Sequence, residues 1–311
     1  MGDNTPTNLV RLVLDKIAEL GDKRAQEYFE VSAGTISAWK SLKTFPSLVA
    51  AQKVWDDSLL CQTPEVWGAT DKGQVALLLP AYESIEPVTF FTLFKAIKGY
   101  GIDKIVMIPK WRTLIVEARN DLAERALLTK AEWFIWGDVD SVVPCGNSAV
   151  ARKYGLNIPE HKSSRNAITR LMSHPADKLI VGALYKDRRG GRKAQCEGGF
   201  KSDAENARLL GFFDGKTQGD DLEKHGWVGF GMVRTHRSVF ERMKEAAKPG
   251  GPLEEIAPPK GRENEPYGYF DTTRQARGED VKFCRRAAQI GVDVWVDPGC
   301  LLGHIGKVTF G

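Results

Sequence analysis

Glu132-Trp133-Phe134-Ile135-Trp136-Gly137-Asp138-Val139-Asp140-Ser141-Val142-Val143-Pro144 is the stretch on which the fold of this chain turns. The run Trp133 to Trp136 is short, apolar and aromatic, which predicts a buried strand. Gly137 ends it, and two carboxylates follow at Asp138 and Asp140. On an extended segment, residues i and i+2 point to one side, so both acids are expected to reach one point. A hard divalent cation takes oxygen ligands and accepts phosphate oxygens as the rest of its shell. Two acids at the carboxyl end of a buried strand therefore predict a cation–diphosphate site, in the crevice where open α/β sheets bind ligands. Taken alone, Asp-x-Asp also describes a solvated turn.

The neighbouring sequence supports a sheet. Val75-Ala76-Leu77-Leu78-Leu79 is apolar without alternation, which suits a strand covered on both faces, and Pro80 is expected to end it. A helix over 88–99, a strand over 103–108 and a helix over 114–129 then lead into the Asp-x-Asp strand. This β-α-β-α-β order predicts a mostly parallel sheet with right-handed crossovers. Downstream, strands are expected over 177–184, 227–233 and 292–298, with helices over 236–247 and 278–290. Arg188-Arg189-Gly190-Gly191-Arg192-Lys193 is basic and glycine-bearing, and suits an anionic partner.

The beginning of the chain has a different character. Apolar residues from Leu9 to Leu20 recur at helical spacing, and Gly21 ends the run. Asp22 is expected to cap a second helix over 23–29. Ser32 is an N-cap candidate for a third, on which Ile36 and Trp39 share a face. A further helix is expected over 47–57. Residues 1–62 are thus expected to form a small all-α domain, 63–73 a linker, and 74–311 an α/β domain.

Composition narrows the classes. The 311 residues suffice for one large and one small domain. A net charge of +4 is mildly basic and does not by itself indicate nucleic acid. No window approaches ~18 uninterrupted apolar residues, so no membrane span is expected, and the first twenty residues do not resemble a signal peptide. The five cysteines are scattered, without a Cys-x-x-Cys pair. Neither a disulfide framework nor a zinc ribbon is indicated, and a reducing cytoplasm is expected.

Two resemblances carry further expectations. Residues 8–60 are similar to the helix-turn-helix domains of phage repressors. In that family the helix bearing Thr35, Ser37, Lys40 and Ser41 would face a major groove, with Lys43 near a phosphate. Residues 74–311 resemble the GT-A glycosyltransferases, the Rossmann-like nucleotide-sugar enzymes. The matches are Pro80-Ala81-Tyr82, Ala118-Arg119-Asn120, Asp138-Val139-Asp140, Gly229-Phe230-Gly231, Gly278-Glu279-Asp280-Val281 with Phe283-Cys284-Arg285-Arg286, and His304, in the family's order.

The second resemblance implies a nucleoside-diphosphate sugar as donor, a UDP-sugar favoured, and Mn2+ or Mg2+ as the cation. It implies Asp138, Asp140 and His304 as metal ligands. Pro80, Ala81, Tyr82, Arg119, Asp138, Val139 and Lys307 would lie along the nucleotide. Asp280, with Glu279 as the alternate, would take the proton from an acceptor hydroxyl in an inverting reaction. Trp227 and Gly229, with Gly231, would let a sugar approach the backbone.

Joined to a DNA-binding head, such a body implies a hydroxylated or hydroxymethylated pyrimidine in phage DNA as acceptor, with Arg188, Arg189 and Arg192 tracking the backbone. A protein or polysaccharide acceptor, with the head as an assembly module, is the alternative. A non-catalytic regulator that senses a nucleotide sugar is another.

Overall fold

The computed structural model of the protein describes residues 8–41, 75–81, 85–111, 113–153, 156, 158–187, 192–272 and 278–305. The helix expected over 47–57, the linker over 63–73, and Lys43, Tyr82, Arg188, Arg189 and Lys307 lie outside them. The chain divides into two compact units, Met1–Glu65 and Val66–Gly311.

The described part of the first unit has three helices, Asn8–Leu20, Asp22–Phe29 and Ala33–Lys40. Their apolar faces meet in a small core of Val13, Ile17, Ala25, Phe29, Ile36 and Trp39. Ser32 caps the third helix, accepting from the Thr35 amide at 3.2 Å. Asp22, expected as a cap, is instead the first residue of its helix, and Gly21 holds the N-cap position at φ 74°. Glycine takes that left-handed backbone without a Cβ clash, so the cap forms one residue early. The Asp22 carboxylate instead receives Lys40 Nζ at 2.9 Å.

The second unit is built on one sheet. Its described strands are β1 (Val75–Ala81), β2 (Ile105–Trp111), β3 (Trp133–Gly137), β4 (Ser141–Val142), β5 (Ile180–Tyr185), β6 (Glu223–His225), β7 (Met232–His236) and β8 (Val294–His304). Their order is β2-β1-β3-β7-β5-β8-β4, with β6 also paired to β8. β2, β1 and β3 are mutually parallel. β7 runs antiparallel to both β3 and β5, so β5 and its parallel neighbour β8 share the direction of β3. Five strands therefore end at one edge.

Both faces are covered, as the unbroken apolar runs require. Ala76, Leu78, Phe134 and Trp136 face one core, with Leu122, Phe240 and Phe283 from the covering helices. Val75, Leu77, Leu79 and Ile135 face the other, under Leu93, Ala96, Ile168 and Leu171. The result is an α/β domain of three layers.

Three expectations need correction. β1 does not stop before Pro80 but runs through Ala81. Its pairing with β3 ends at Leu78, so the missing amide of Pro80 breaks no bond on that side. β8 runs on to His304 instead of ending at Pro298. A register shift after Ala183 sets Asp297 opposite Ala183 and Leu301 opposite Leu184, so residues 298–300 bulge out and pairing resumes.

The third correction concerns the glycine-rich run Trp227 to Val233. It is a strand only from Met232, and that strand is antiparallel within an otherwise parallel centre. Val228 meets Cys196 in an isolated bridge, and its side chain fills the space over Gly182. The segment before Met232 therefore leaves the ladder.

Candidate functional site

The site forms where β3, β5 and β8 end. Asp138 follows β3 directly, its amide bonded to the Gly231 carbonyl at 3.0 Å. Val139 and Asp140 then lie in a turn, not on an extended segment. Each acid has a close partner in the fold. Asp138 Oδ1 accepts from Arg119 Nη2 at 3.0 Å. Asp140 Oδ1 lies 3.4 Å from His304 Nε2.

Arg119 is the centre of the first group. It sits on the helix Ile115–Leu128 and its side chain is only 2% exposed. Besides Asp138 it donates to Glu279 Oε1 at 2.9 Å and to Asp280 Oδ1. Its guanidinium lies over the rings of Phe230 and Phe270, 5.1 and 5.7 Å from their centroids. Burial works against the charge, but Asp280, Asp138 and Glu279 outweigh it and push the Arg119 pKa up. Arg119 thus joins the motif after β3 to the start of the helix Glu279–Gln289 and is not open to a ligand.

Asp280 is held twice, because its Oδ2 also accepts from the Phe230 amide at 3.1 Å. Burial, opposed by Arg119 and reinforced by Glu279 and Asp138, raises its pKa to about 6. Three carboxylates around one guanidinium leave excess negative charge, which a cation would relieve.

His304 is the centre of the second group. Its Nδ1 meets the Lys186 carbonyl at 3.1 Å. A carbonyl only accepts, so Nδ1 carries the proton, and a neutral ring then keeps its lone pair on Nε2, the atom facing Asp140. The Tyr185 ring meets the imidazole edge-on, with centroids 5.4 Å apart. Such outer partners fix the orientation of a metal-binding histidine.

The pair fits a divalent cation. Two adjacent ligands of an octahedral ion with bonds of about 2.1 Å sit about 3 Å apart, near the observed 3.4 Å. Among the described residues no three His, Cys, Asp or Glu side chains converge into a complete metal cage. A cation held by Asp140 and His304 would fill the rest of its shell with further oxygen ligands, water or phosphate among them.

The remaining candidates distribute as follows. Pro80 and Ala81 are buried at the end of β1. The Val139 carbonyl accepts from the Glu86 amide at 3.0 Å. Trp227 packs on Phe200, with centroids 5.3 Å apart. Gly229 and Gly231 make room for Tyr185: a Cβ at Gly229 would sit 2.2 Å from Tyr185 Oη, and one at Gly231 2.8 Å from its ring. Arg192 is exposed. In the first unit, Ser37 and Lys40 are exposed and Thr35 is half-buried.

Tyr185 was not singled out from the sequence. It is the last residue of an apolar strand, and only the fold brings Gly229, Gly231 and His304 around it. Burial, then Asp280 and Asp138, push its pKa well above the ordinary value, so the phenol stays protonated.

No protein-family model matches the chain, and no curated protein matches it. Solved structures do show likeness. A197 from STIV is similar over 75% of this chain and 85% of its own, at 13% identity and a TM-score of 0.41. The mannosyltransferase PcManGT from Pyrobaculum calidifontis, in complex with GDP-Man and Mn2+, is similar over 97% of this chain and 70% of its own, at 13% identity and a TM-score of 0.41. GalNAc-T7 with UDP, GalNAc and Mn2+ is similar over 76% of this chain, which spans 45% of it, at 10% identity and a TM-score of 0.39.

Proposed function

We propose that this chain is a metal-dependent glycosyltransferase that moves a sugar from a nucleoside-diphosphate sugar, a UDP-sugar favoured, to a hydroxyl. The observation that carries the reading is the facing of Asp140 Oδ1 and His304 Nε2 at 3.4 Å, at the edge where the parallel strands end. Asp140 and His304 would hold Mn2+ or Mg2+. A cation held there would supply positive charge against the negative charge that builds on a departing diphosphate.

The chain's own residues do the rest. Arg119 fixes Asp138, which in this reading borders the donor. Pro80, Ala81, Tyr82, Val139 and Lys307 border the nucleotide in this reading, and Trp227 the acceptor. Asp280 takes the acceptor proton onto a carboxylate whose orientation Arg119 and the Phe230 amide set. Glu279, bound to the same guanidinium, is the alternate base.

The test incubates the full chain and Mn2+ with a panel of nucleotide sugars and measures released nucleoside diphosphate. Slow release from one donor is expected, lost in Asp140→Ala. No release from any donor, with metal present, ends the proposal.

The acceptor we infer is a hydroxylated or hydroxymethylated pyrimidine in phage DNA. The support is the resemblance of the first unit to repressor helix-turn-helix domains and the exposure of Ser37 on its third helix. Two observations favour a protein or polysaccharide acceptor instead. Lys40 is paired with Asp22. Residues 8–41 hold five basic side chains (Arg11, Lys16, Lys23, Arg24, Lys40) against five acidic ones (Asp15, Glu19, Asp22, Glu27, Glu30), a weak basis for phosphate binding. Labelled sugar should pass to hydroxymethylated but not to plain DNA. Labelling of neither DNA, by enzyme that hydrolyses donor, decides for the second acceptor.

A further inference from the structure

Ser141 follows Asp140 and opens β4, the two-residue strand that pairs with the end of β8. Its register partner is His304 itself. Residues directly opposite in an antiparallel pair place their side chains on one face. The next pair behaves so, since a Cβ at Gly303 would sit 3.0 Å from the Val142 Cβ. The Ser141 side chain therefore shares a face with the imidazole whose Nε2 meets Asp140.

Ser141 is 1% exposed, and its hydroxyl has no hydrogen-bond partner among the described residues. A buried hydroxyl without a partner costs stability, and buried polar groups in folded proteins are nearly always satisfied. Serine can usually turn its hydroxyl back to a nearby carbonyl, and here it does not. The group is a donor held out of water, on the strand pair that carries His304.

We propose that Ser141 is a positioning residue of the cation site. Its hydroxyl donates to an oxygen bound to the cation, a water when the metal is alone and a phosphate oxygen when a nucleotide is present. This rests on the assignment of Asp140 and His304 as ligands and adds a third side chain to that site. It also accounts for why the strand after the motif is tied to His304 in register. One short ladder carries the hydroxyl and sets the imidazole, and the Ile305 amide closes it on the Asp140 carbonyl at 2.8 Å.

The test compares Mn2+ binding by the full chain, its Ser141→Ala variant and its Asp140→Ala variant, using calorimetric titration with manganese chloride and no nucleotide. Melting temperatures without metal are recorded in parallel. Removing an outer-shell partner typically weakens metal affinity by about 10- to 100-fold. Ser141→Ala is therefore expected to bind Mn2+ about tenfold more weakly. Its metal-free melting temperature should equal or exceed that of the wild type, because no made hydrogen bond is lost.

Equal Mn2+ affinity in Ser141→Ala and wild type, with binding lost in Asp140→Ala, overturns the role of Ser141 and leaves the metal site standing. Equal affinity in all three proteins overturns the metal site and this inference with it. A lower metal-free melting temperature in Ser141→Ala means that the hydroxyl serves the fold, which also overturns the inference.

Discussion

Arg119 Nη2 and Asp138 Oδ1 are 3.0 Å apart, and the same guanidinium holds both acids at the head of the helix Glu279–Gln289. One buried cation thereby fixes the motif after β3 against the candidate base. Lysine carries the same charge on a single ammonium and cannot spread it in a planar fork. Arg119→Met removes the charge and leaves three acids uncompensated. Breaking a buried pair on one side costs about 3–5 kcal/mol. Chemical denaturation at pH 7.5 should show a loss of that order in Arg119→Met and a smaller one in Arg119→Lys. The Arg119→Met deficit should shrink at pH 5, where the orphaned acids take up protons. A deficit that does not change with pH contradicts the charge argument.

The two acids of Asp-x-Asp should separate experimentally. Asp140 Oδ1 lies against His304, and Asp138 Oδ1 accepts from Arg119. Asp140→Asn is expected to weaken Mn2+ binding at least tenfold, read by titration without nucleotide. Asp138→Asn should leave Mn2+ binding within a few-fold and lower turnover of the donor instead. Equal losses of metal binding in both variants would mean that the acids share the ion.

Asp280 makes a prediction about pH. Its pKa in the folded chain, about 6, lies above the ordinary 3.8. Between those values the unfolded chain has released the proton and the native chain keeps it, so stability falls as pH rises. Its contribution is fully present below about pH 4 and gone above about pH 6. Asp280→Asn should flatten that part of the stability–pH curve, followed by urea midpoints from pH 4 to 7. As a base, Asp280 must be ionised, so donor turnover should climb with an apparent pKa near 6. If both limbs persist unchanged in Asp280→Asn, another group titrates there.

The strands that frame this candidate site could be read from the chain, and the reason lies in which interactions are local. Strands buried on both faces, such as Val75–Ala81, show as unbroken apolar runs. The Asp-x-Asp motif follows such a run directly. The partners of Arg119 show no local signal: its acids lie 19, 160 and 161 positions away. A reading of near neighbours offers Glu117 and Asp121 instead, and Asp121 in fact pairs with Arg125 and Lys110. Hydropathy favours a strand from Trp227, but two glycines there make room for a tyrosine more than forty residues earlier, and the ladder starts only at Met232. Tyr185 and Ser141 carried no visible signal, since each is distinguished only by what the fold brings opposite to it.

That clash at the glycines supplies the last prediction. At Gly229 the atom nearest to an added Cβ is Tyr185 Oη, at 2.2 Å, with ring carbons following at 2.9 and 3.2 Å. At Gly231 the nearest atoms are ring carbons, from 2.8 to 3.0 Å. Overpacking a filled site costs about 1–3 kcal/mol, so Gly229→Ala and Gly231→Ala should each lose about that much by urea denaturation. Tyr185→Phe deletes the hydroxyl and keeps the ring. Added to Gly229→Ala, it should recover part of the loss; added to Gly231→Ala, it should recover none. This difference in coupling, measured by double-mutant cycles, depends on which part of one side chain each glycine faces. Equal rescue at both positions would mean that the phenol is not oriented toward Gly229.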